Sequence, residues 1–251
     1  MNDDIVPALL EAILKDFEKN KLDSDRIRKL LAILETGNAT YTEATKYAAE
    51  IGTILSKALN THITANVLPN GQMYFNIANR IVNETLKKSF DSIVEYIEIV
   101  QTQLNDKAGI KLKAQVPDFN QNRADSIVNK LTSKDNFEQT QWILEEPIVN
   151  FTQSIVDDAV KANVEFHAQA GLAPKIVRTA SGKPCQWCRS LEGDYKYPSV
   201  PSDVYHRHDN CRCFVNYYPN QSTKQNVWTK EVSKANRRKE RIQRIQERLN
   251  N

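Results

Sequence analysis

The residues of this sequence that can do chemistry are concentrated in one short segment, where cysteine and histidine recur at metal-ligand spacing. All four cysteines of the 251-residue chain fall between Cys185 and Cys213, with His208 among them. Cys185 and Cys188 form a Cys-x-x-Cys pair, which can place two thiolates on one side of a tight turn. Because thiolates and imidazoles are preferred zinc ligands, the segment predicts a zinc site.

The ligand set of this site stays open at the level of sequence. Structural zinc takes four ligands, and the segment offers five good candidates, with His206 as an extra histidine. In an extended strand the side chains of Cys211 and Cys213 point the same way, which permits a four-cysteine site. A site that uses His208 with one of them is equally reasonable. The candidate metal ligands are Cys185, Cys188, His208, Cys211 and Cys213.

The alternatives to a metal site are four unpaired thiols or two disulfides. Cytosolic proteins rarely keep structural disulfides, and four cysteines within 29 residues at paired spacing favour metal binding. The predicted zinc is structural, because a segment of about 50 residues rich in Gly and Pro has too little core to order itself. The surplus of ligands also argues against the open coordination position of a catalytic zinc.

The elements that precede this segment are predicted to be helices. The chain contains only 7 glycines, and apolar residues recur every three or four positions over most of residues 1–170. Gly37 is expected to end a helix, and Thr40 with Glu43 has the capping-box spacing of a helix start. Pro147 suits the first turn of a helix that runs to about residue 170.

The middle of this helical region contains three further predictions. After a turn at residues 69–71, the apolar pattern predicts a long helix, or two joined near Ser89. Residues 110–119 are predicted to be a connector with a short strand. Shorter helices are expected over 121–133 and 135–146.

The pattern of apolar residues changes at Gly171, where short runs typical of β-strands replace helical periodicity. Strands are predicted over residues 175–179 and 211–218. The expected fold class is mainly α, in three parts: an α-helical N-terminal body (1–170), a small α+β zinc-binding domain with a short hairpin (171–219) and a basic C-terminal helix (220–251).

The C-terminal helix carries the positive charge of the chain. Residues 230–251 contain eight Lys or Arg and three Asp or Glu, whereas the whole chain has a net charge of only +3. Such a helix can neutralise several phosphates, so we predict weak, sequence-independent DNA binding. The candidate DNA-binding residues are Lys230, Lys234, Arg237, Arg238, Lys239, Arg241, Arg244 and Arg248.

No part of the sequence has the pattern of a signal peptide or a membrane span. Asp3 and Asp4 stand where a signal peptide would carry Lys or Arg. The uncharged stretch 58–79 is rich in Asn and far too polar to cross a bilayer. We expect a protein made in a reducing cytoplasm.

The C-terminal segment resembles a known signature. Residues 176–182, the Cys-x-x-Cys pair, Leu191-Glu192-Gly193 and the run from His208 to Cys213 are similar to the C-terminal signature of phage minor head proteins of the Mu protein F-like (head morphogenesis) family. The likeness is greatest to versions from phages and prophages of Gram-positive bacteria. It covers residues 171–219, about a fifth of the chain, and Glu192 replaces the commoner Asp.

This resemblance implies a structural protein with no enzymatic activity. It would be a minor capsid component that contacts the portal or the major capsid protein, acts in head assembly, and takes part in DNA ejection. It would be made in the host cytoplasm and reside in the capsid interior of the virion. The helical body is the expected partner-binding part, through the apolar stripes of its helices.

Two alternatives compete with this interpretation. A metal-dependent nuclease or toxin-like domain could use the His and Asn of residues 204–210, although His208 is then also a candidate zinc ligand. A ribonuclease-like pair of His167 and Arg178 is disfavoured, because we expect His167 to end a helix and Arg178 to pair with an acid. The second alternative is a zinc-stabilised DNA-binding module that acts through the basic tail.

Overall fold

The computed structural model describes residues 4–208, 210–219 and 239–247. The molecule is mainly α-helical, as predicted, with a small sheet after the last long helix. The longer helices are α1 (Val6–Asp23), α2 (Asp25–Thr36), α3 (Tyr41–His62), α4 (Phe75–Lys107), α5 (Gln121–Leu131) and α6 (Glu146–Gln169).

Side-chain caps and a glycine set where the first three helices begin and end. The Ser24 hydroxyl accepts the Ile27 N–H and separates α1 from α2. Gly37 ends α2 with a φ of 81°, a left-handed conformation that glycine adopts at little cost. Thr40 and Glu43 form a capping box at the start of α3. Both the predicted end at Gly37 and the predicted start at Thr40 are confirmed.

Helices α3 and α6 pack against each other at the centre of the helical body. Gly52 of α3 permits their close approach, because a Cβ atom there would lie 2.3 Å from Thr152 Oγ1 and 2.9 Å from Val149 Cα. Helices α1, α2 and α4 pack around α3, and α4 also contacts α5 and α6. The apolar stripes of these helices, through which a partner was expected to bind, are buried in the chain's own core.

Three predictions for the middle of the chain need correction or refinement. The long helix is the single α4, and the Ser89 hydroxyl bonds to the Leu86 carbonyl without breaking it. Residues 110–119 form no strand, since side chains satisfy their backbone: Asn163 alone bonds both the N–H and the carbonyl of Gln115. The helix predicted over 135–146 is instead two short 3-10 turns, Phe137–Gln139 and Gln141–Leu144.

Local polar side chains explain those two turns. Asn136 caps the first turn by accepting the Glu138 N–H. The buried Thr140 hydroxyl bonds to the carbonyls of Leu131 and Phe137. Such side-chain bonds offer the backbone an alternative to a continuous α-helix.

A three-stranded antiparallel sheet follows α6. Its strands are β1 (Lys175–Thr179), β2 (Gly193–Lys196) and β3 (Phe214–Tyr218), in the order β2-β1-β3. The β1 and β3 predictions are confirmed, although β3 begins three residues later than expected, and β2 was not predicted. The long connection between β1 and β2 contains the short helix α7 (Gln186–Ser190).

One face of the sheet joins the core of the helical body. Ile176, Val215 and Tyr217 are buried in the same cluster as the helix side chains, and β3 packs on α3 and α6. The segment before β3, which carries the candidate ligands, is therefore brought directly over α6.

The last described residues, 239–247, form the helix α8. Ile242 and Ile245 are buried in the main core, and Arg241 forms an ion pair with Glu98 of α4. The rest of the predicted helix over 230–249 lies outside the described residues. Among the helices in the described part of the chain, none has the length and apolar composition that a bilayer span needs.

Candidate metal centre

The Cys-x-x-Cys pair forms the beginning of α7. Cys185 is the N-cap, and its sulfur accepts the Cys188 N–H at 3.4 Å. This bond closes the turn and places both thiols in the region of His208. Cys185 is exposed, whereas Cys188 is buried.

The candidate ligands form two groups that share Cys188. In the first group, His208 Nε2 lies 3.3 Å from Cys185 Sγ and 2.9 Å from Cys188 Sγ. In the second group, Cys188 Sγ lies 3.9 Å from Cys211 Sγ, and Cys213 completes the set. Within each group the ligand atoms all lie within 4.8 Å of one another. All five predicted ligands therefore converge on one place.

These separations suit a single tetrahedral metal. Bonds of about 2.3 Å to sulfur put neighbouring ligand atoms about 3.8 Å apart, and a nitrogen ligand shortens that edge slightly. The S–S separation of 3.9 Å matches this value, and the two S–N separations, 3.3 and 2.9 Å, are shorter than it. Each group could hold a metal ion, and the soft thiolates together with the imidazole match zinc chemistry.

Cys211 and Cys213 turn their side chains in the same direction, as predicted. Both are buried, and Arg212 between them is exposed. They precede β3 rather than lie in it, so the alternation comes from the extended approach to the strand.

Hydrogen bonding between Cys211 and Cys213 shifts the pKa values of the two thiols in opposite directions. Hydrogen bonding from Cys213 lowers the pKa of Cys211 to about 4, and the same bond with burial raises the pKa of Cys213. The backbone N–H of Cys188 lowers the pKa of Cys185. The lowered pKa values of Cys185 and Cys211 favour the thiolate, which is the form of cysteine that binds metal.

The segment that carries the later ligands is fixed to α6 by two arginines. The Arg207 guanidinium forms a bidentate ion pair with Asp157, in which both side chains are almost fully buried. Arg207 also donates to the Cys213 carbonyl at 3.0 Å. Arg212 donates to Glu146 at 2.6 and 3.1 Å in a more exposed pair. These bonds set the backbone on which the ligands stand.

The α6 partners form a polar stripe that the sequence analysis missed. Glu146, Asn150 and Asp157 recur at positions i, i+4 and i+11, which places them on one helical face. Asn150 donates to the His208 carbonyl at 3.3 Å, so all three contact the ligand segment. The signal in the sequence was weak: the three polar residues share one helical face, but the same helix contains many other polar residues.

Arg178 of β1 lies beside the centre and is 1% exposed. It donates through Nη1 to the carbonyls of Val204 and His206, and its Nη2 lies 4.0 Å from Cys211 Sγ. Trp187 lies against the guanidinium, 5.4 Å away. The prediction that Arg178 pairs with an acid is wrong, because no carboxylate of the described residues lies within 4 Å of it.

His167 lies in the last turn of α6, as predicted, and is fully buried. Its Nδ1 is hydrogen-bonded to the Tyr217 hydroxyl of β3. Burial lowers the pKa of His167 to about 4, so the ring is neutral near pH 7. His206, the extra histidine, is largely exposed beside Asp203 and lies outside both ligand groups.

Three of the eight candidate DNA-binding residues, Lys239, Arg241 and Arg244, lie within the described residues. Lys239 and Arg244 are exposed, but so are Glu240 and Glu247 on the same helix. The remaining candidates lie outside the described residues: Lys230, Lys234, Arg237, Arg238 and Arg248.

Comparison with known proteins identifies no relative. No family model, no curated protein and no solved structure matches this chain.

Proposed function

We propose that the convergent thiols and His208 form a structural zinc centre. The single observation that carries this proposal is the convergence of four thiols and one imidazole in two ligand groups that share Cys188. Zinc is the metal that such a donor set favours in a reducing compartment.

The role proposed for the zinc is to join the α7 turn to the segment that lies on α6. Among the described residues, the apolar cluster around the thiols is small: it contains Cys188, Cys211 and Cys213 with Ala180 and Trp187. A metal that links the two sides would supply the folding free energy that such a cluster lacks.

Native mass spectrometry of the full chain with and without chelator tests this function. We expect one zinc to be lost on chelation, and Cys188→Ser to abolish zinc binding because Cys188 belongs to both groups. His206→Ala is the matched control and should bind one zinc like the parent chain. A mass unchanged by chelation would overturn the proposal.

At the level of biology, we propose a minor capsid protein of a phage head that acts at the portal or the inner capsid surface. The support is the resemblance of residues 171–219, together with a metal-linked segment that docks on a helical body. Purified phage heads should contain the chain at low copy number. Heads that package DNA normally after deletion of its gene would contradict this role.

A second candidate function is DNA binding through the basic C-terminal helix. The docking of α8 on α4 favours it, because Ile242 and Ile245 face the core and leave Lys239 and Arg244 outside. The described part of α8 exposes two positive and two negative side chains: Lys239, Arg244, Glu240 and Glu247. The proposed affinity for DNA therefore depends mainly on the basic residues that flank α8. A chain that ends at Val227 should bind DNA more weakly at low salt, and equal affinity would refute the idea.

A further inference from the structure

Two buried arginines, Arg178 and Arg207, lie beside the candidate metal centre. Their charges bear on the number of thiolates that a metal bound there would have. Arg178 places a guanidinium at 1% exposure against Cys211, and its Nε has no hydrogen-bond partner among the residues that the structure describes. A buried cation without a counter-charge is costly. Something in this region must therefore supply negative charge to Arg178.

The other buried arginine does not need that charge. Asp157 forms a bidentate pair with Arg207 and also interacts electrostatically with Arg178, so the two arginines and this one carboxylate together keep one positive charge. Within the portion of the chain that the structure describes, one buried positive charge, that of Arg178, is left for the metal centre to balance.

Only one class of centre balances a single positive charge. A divalent metal with three thiolates and one neutral imidazole carries a net charge of −1, whereas four thiolates give −2 and two thiolates give zero. The charge of Arg178 thus favours three thiolates and His208.

The distances select the three thiols. The group that contains His208 also contains Cys185 and Cys188. Of the two remaining thiols, Cys211 is the one that faces Arg178 Nη2, at 4.0 Å. Its sulfur is also 3.9 Å from Cys188 Sγ, a separation that suits two ligands of one metal.

We infer a centre with three thiolates and one imidazole, whose ligands are Cys185, Cys188, Cys211 and His208. Arg178 is a positioning residue that balances the charge of this centre through Cys211. Cys213 is not a ligand and remains a buried thiol beside Cys211. This inference rests on the metal-binding function proposed above and adds its ligand set and its charge partner.

Cobalt substitution in the full chain counts the thiolates. The thiolate-to-cobalt charge-transfer absorption, measured per bound cobalt, should be unchanged in Cys213→Ser. It should fall by about a third, or disappear with the metal, in Cys211→Ser, and rise by about a third in His208→Cys, as four thiolates replace three. Loss of intensity in Cys213→Ser, with full intensity in His208→Gln, would show a four-thiolate centre and overturn the inference.

The role of Arg178 is tested by zinc affinity in competition with a chelating dye. Arg178→Gln should weaken zinc binding about 10- to 100-fold, the usual effect of losing a group that contacts a metal ligand. Arg178→Lys keeps the charge and should retain most of the affinity. Equal losses in both variants would assign Arg178 to packing and refute its electrostatic role.

The cobalt titration of the parent chain separates the two proposals. If the parent chain binds neither cobalt nor zinc, the proposed metal function itself fails. If it binds one ion but the thiolate count differs from three, only the ligand set fails. The count on the parent chain and on Cys213→Ser remains decisive even if the Arg178 variants do not fold.

Discussion

At the scale of single residues, the pairing of Arg207 with Asp157 shows how burial changes the contribution of an ion pair to stability. Burial raises the pKa of Asp157, and the Arg207 guanidinium opposes that shift. The pair also positions the ligand segment, because Arg207 donates a hydrogen bond to the Cys213 carbonyl. The pair between Arg212 and Glu146 is more exposed, so its loss should cost less stability.

The first prediction compares these two ion pairs. Asp157→Asn should lower the free energy of unfolding by about 3 to 5 kcal/mol, because it leaves the Arg207 guanidinium buried without its counter-charge. Glu146→Gln is the matched control and should cost less than about 1 kcal/mol. Urea denaturation at pH 7 measures both, and equal losses would contradict the assignment of the buried pair.

The second prediction concerns acid sensitivity at His167. Its folded-state pKa of about 4 lies below the usual value of 6.5 in an unfolded chain. The neutral ring therefore contributes full stability above about pH 6.5, and that contribution is lost as the pH falls towards 4. At pH 5 the loss is about 2 kcal/mol.

His167→Asn removes this titration and isolates it from other acid effects. The difference in unfolding free energy between parent and variant should shrink by about 2 kcal/mol between pH 7 and pH 5. Denaturant titrations at the two pH values measure it. A difference that stays constant would mean that folding does not lower the pKa of His167.

At the scale of elements, the contact between α3 and α6 positions the site. Asp157 and Asn150 project from α6 towards the ligand segment, and α6 is held in place by its long contact with α3. At Gly52 the two helices lie close together, since a side chain there would meet α6.

The third prediction tests this approach by adding one methyl group. In a free helix Gly52→Ala would stabilise by about 1 kcal/mol through helix propensity. Here we expect the opposite sign, a loss of about 1 to 3 kcal/mol, because the methyl group meets Thr152 Oγ1 and Val149 Cα.

Adding Thr152→Ala to Gly52→Ala gives the control. It removes one of the two close contacts and should recover part of the lost stability, while the Val149 backbone contact remains. Thermal unfolding followed by circular dichroism reports the change. A stabilised Gly52→Ala chain would refute the close approach.

At the scale of the whole molecule, the sheet and the helices share a core, but the ligand segment has its own small cluster. Ile176 and Tyr217 belong to the main core. Cys188, Cys211 and Cys213 form a separate cluster with few apolar neighbours. Removal of the proposed metal should therefore loosen the ligand segment more than the helices.

The fourth prediction follows from this difference. Chelation should make residues 180–213 sensitive to trypsin, which can cut at Arg189, Arg207 and Arg212, while α1 to α6 stay resistant. The far-ultraviolet circular dichroism should change little. Mass analysis of the fragments measures the outcome, and cleavage spread evenly along the chain would contradict it.

The sequence by itself determined the features that depend on neighbours in the chain. The capping box of Thr40 and Glu43, the end of α2 at Gly37 and the first turn of α6 at Pro147 were predictable, because caps and helical periodicity act over a few residues. The five candidate ligands were predictable for the same reason, since their paired spacing is local.

Only the tertiary structure decided which distant groups meet at the site. The structure showed that Asp157 forms an ion pair with Arg207. It also showed that Arg178 contacts the Cys211 thiol and not an acidic side chain. It also left the connector 110–119 without the predicted strand, because Asn163 from α6 bonds to its backbone at Gln115. Such partners lie far apart in the chain, and their meeting depends on how α3, α6 and the sheet pack. The sequence names the groups that can bind a metal, and packing decides which buried charges surround them.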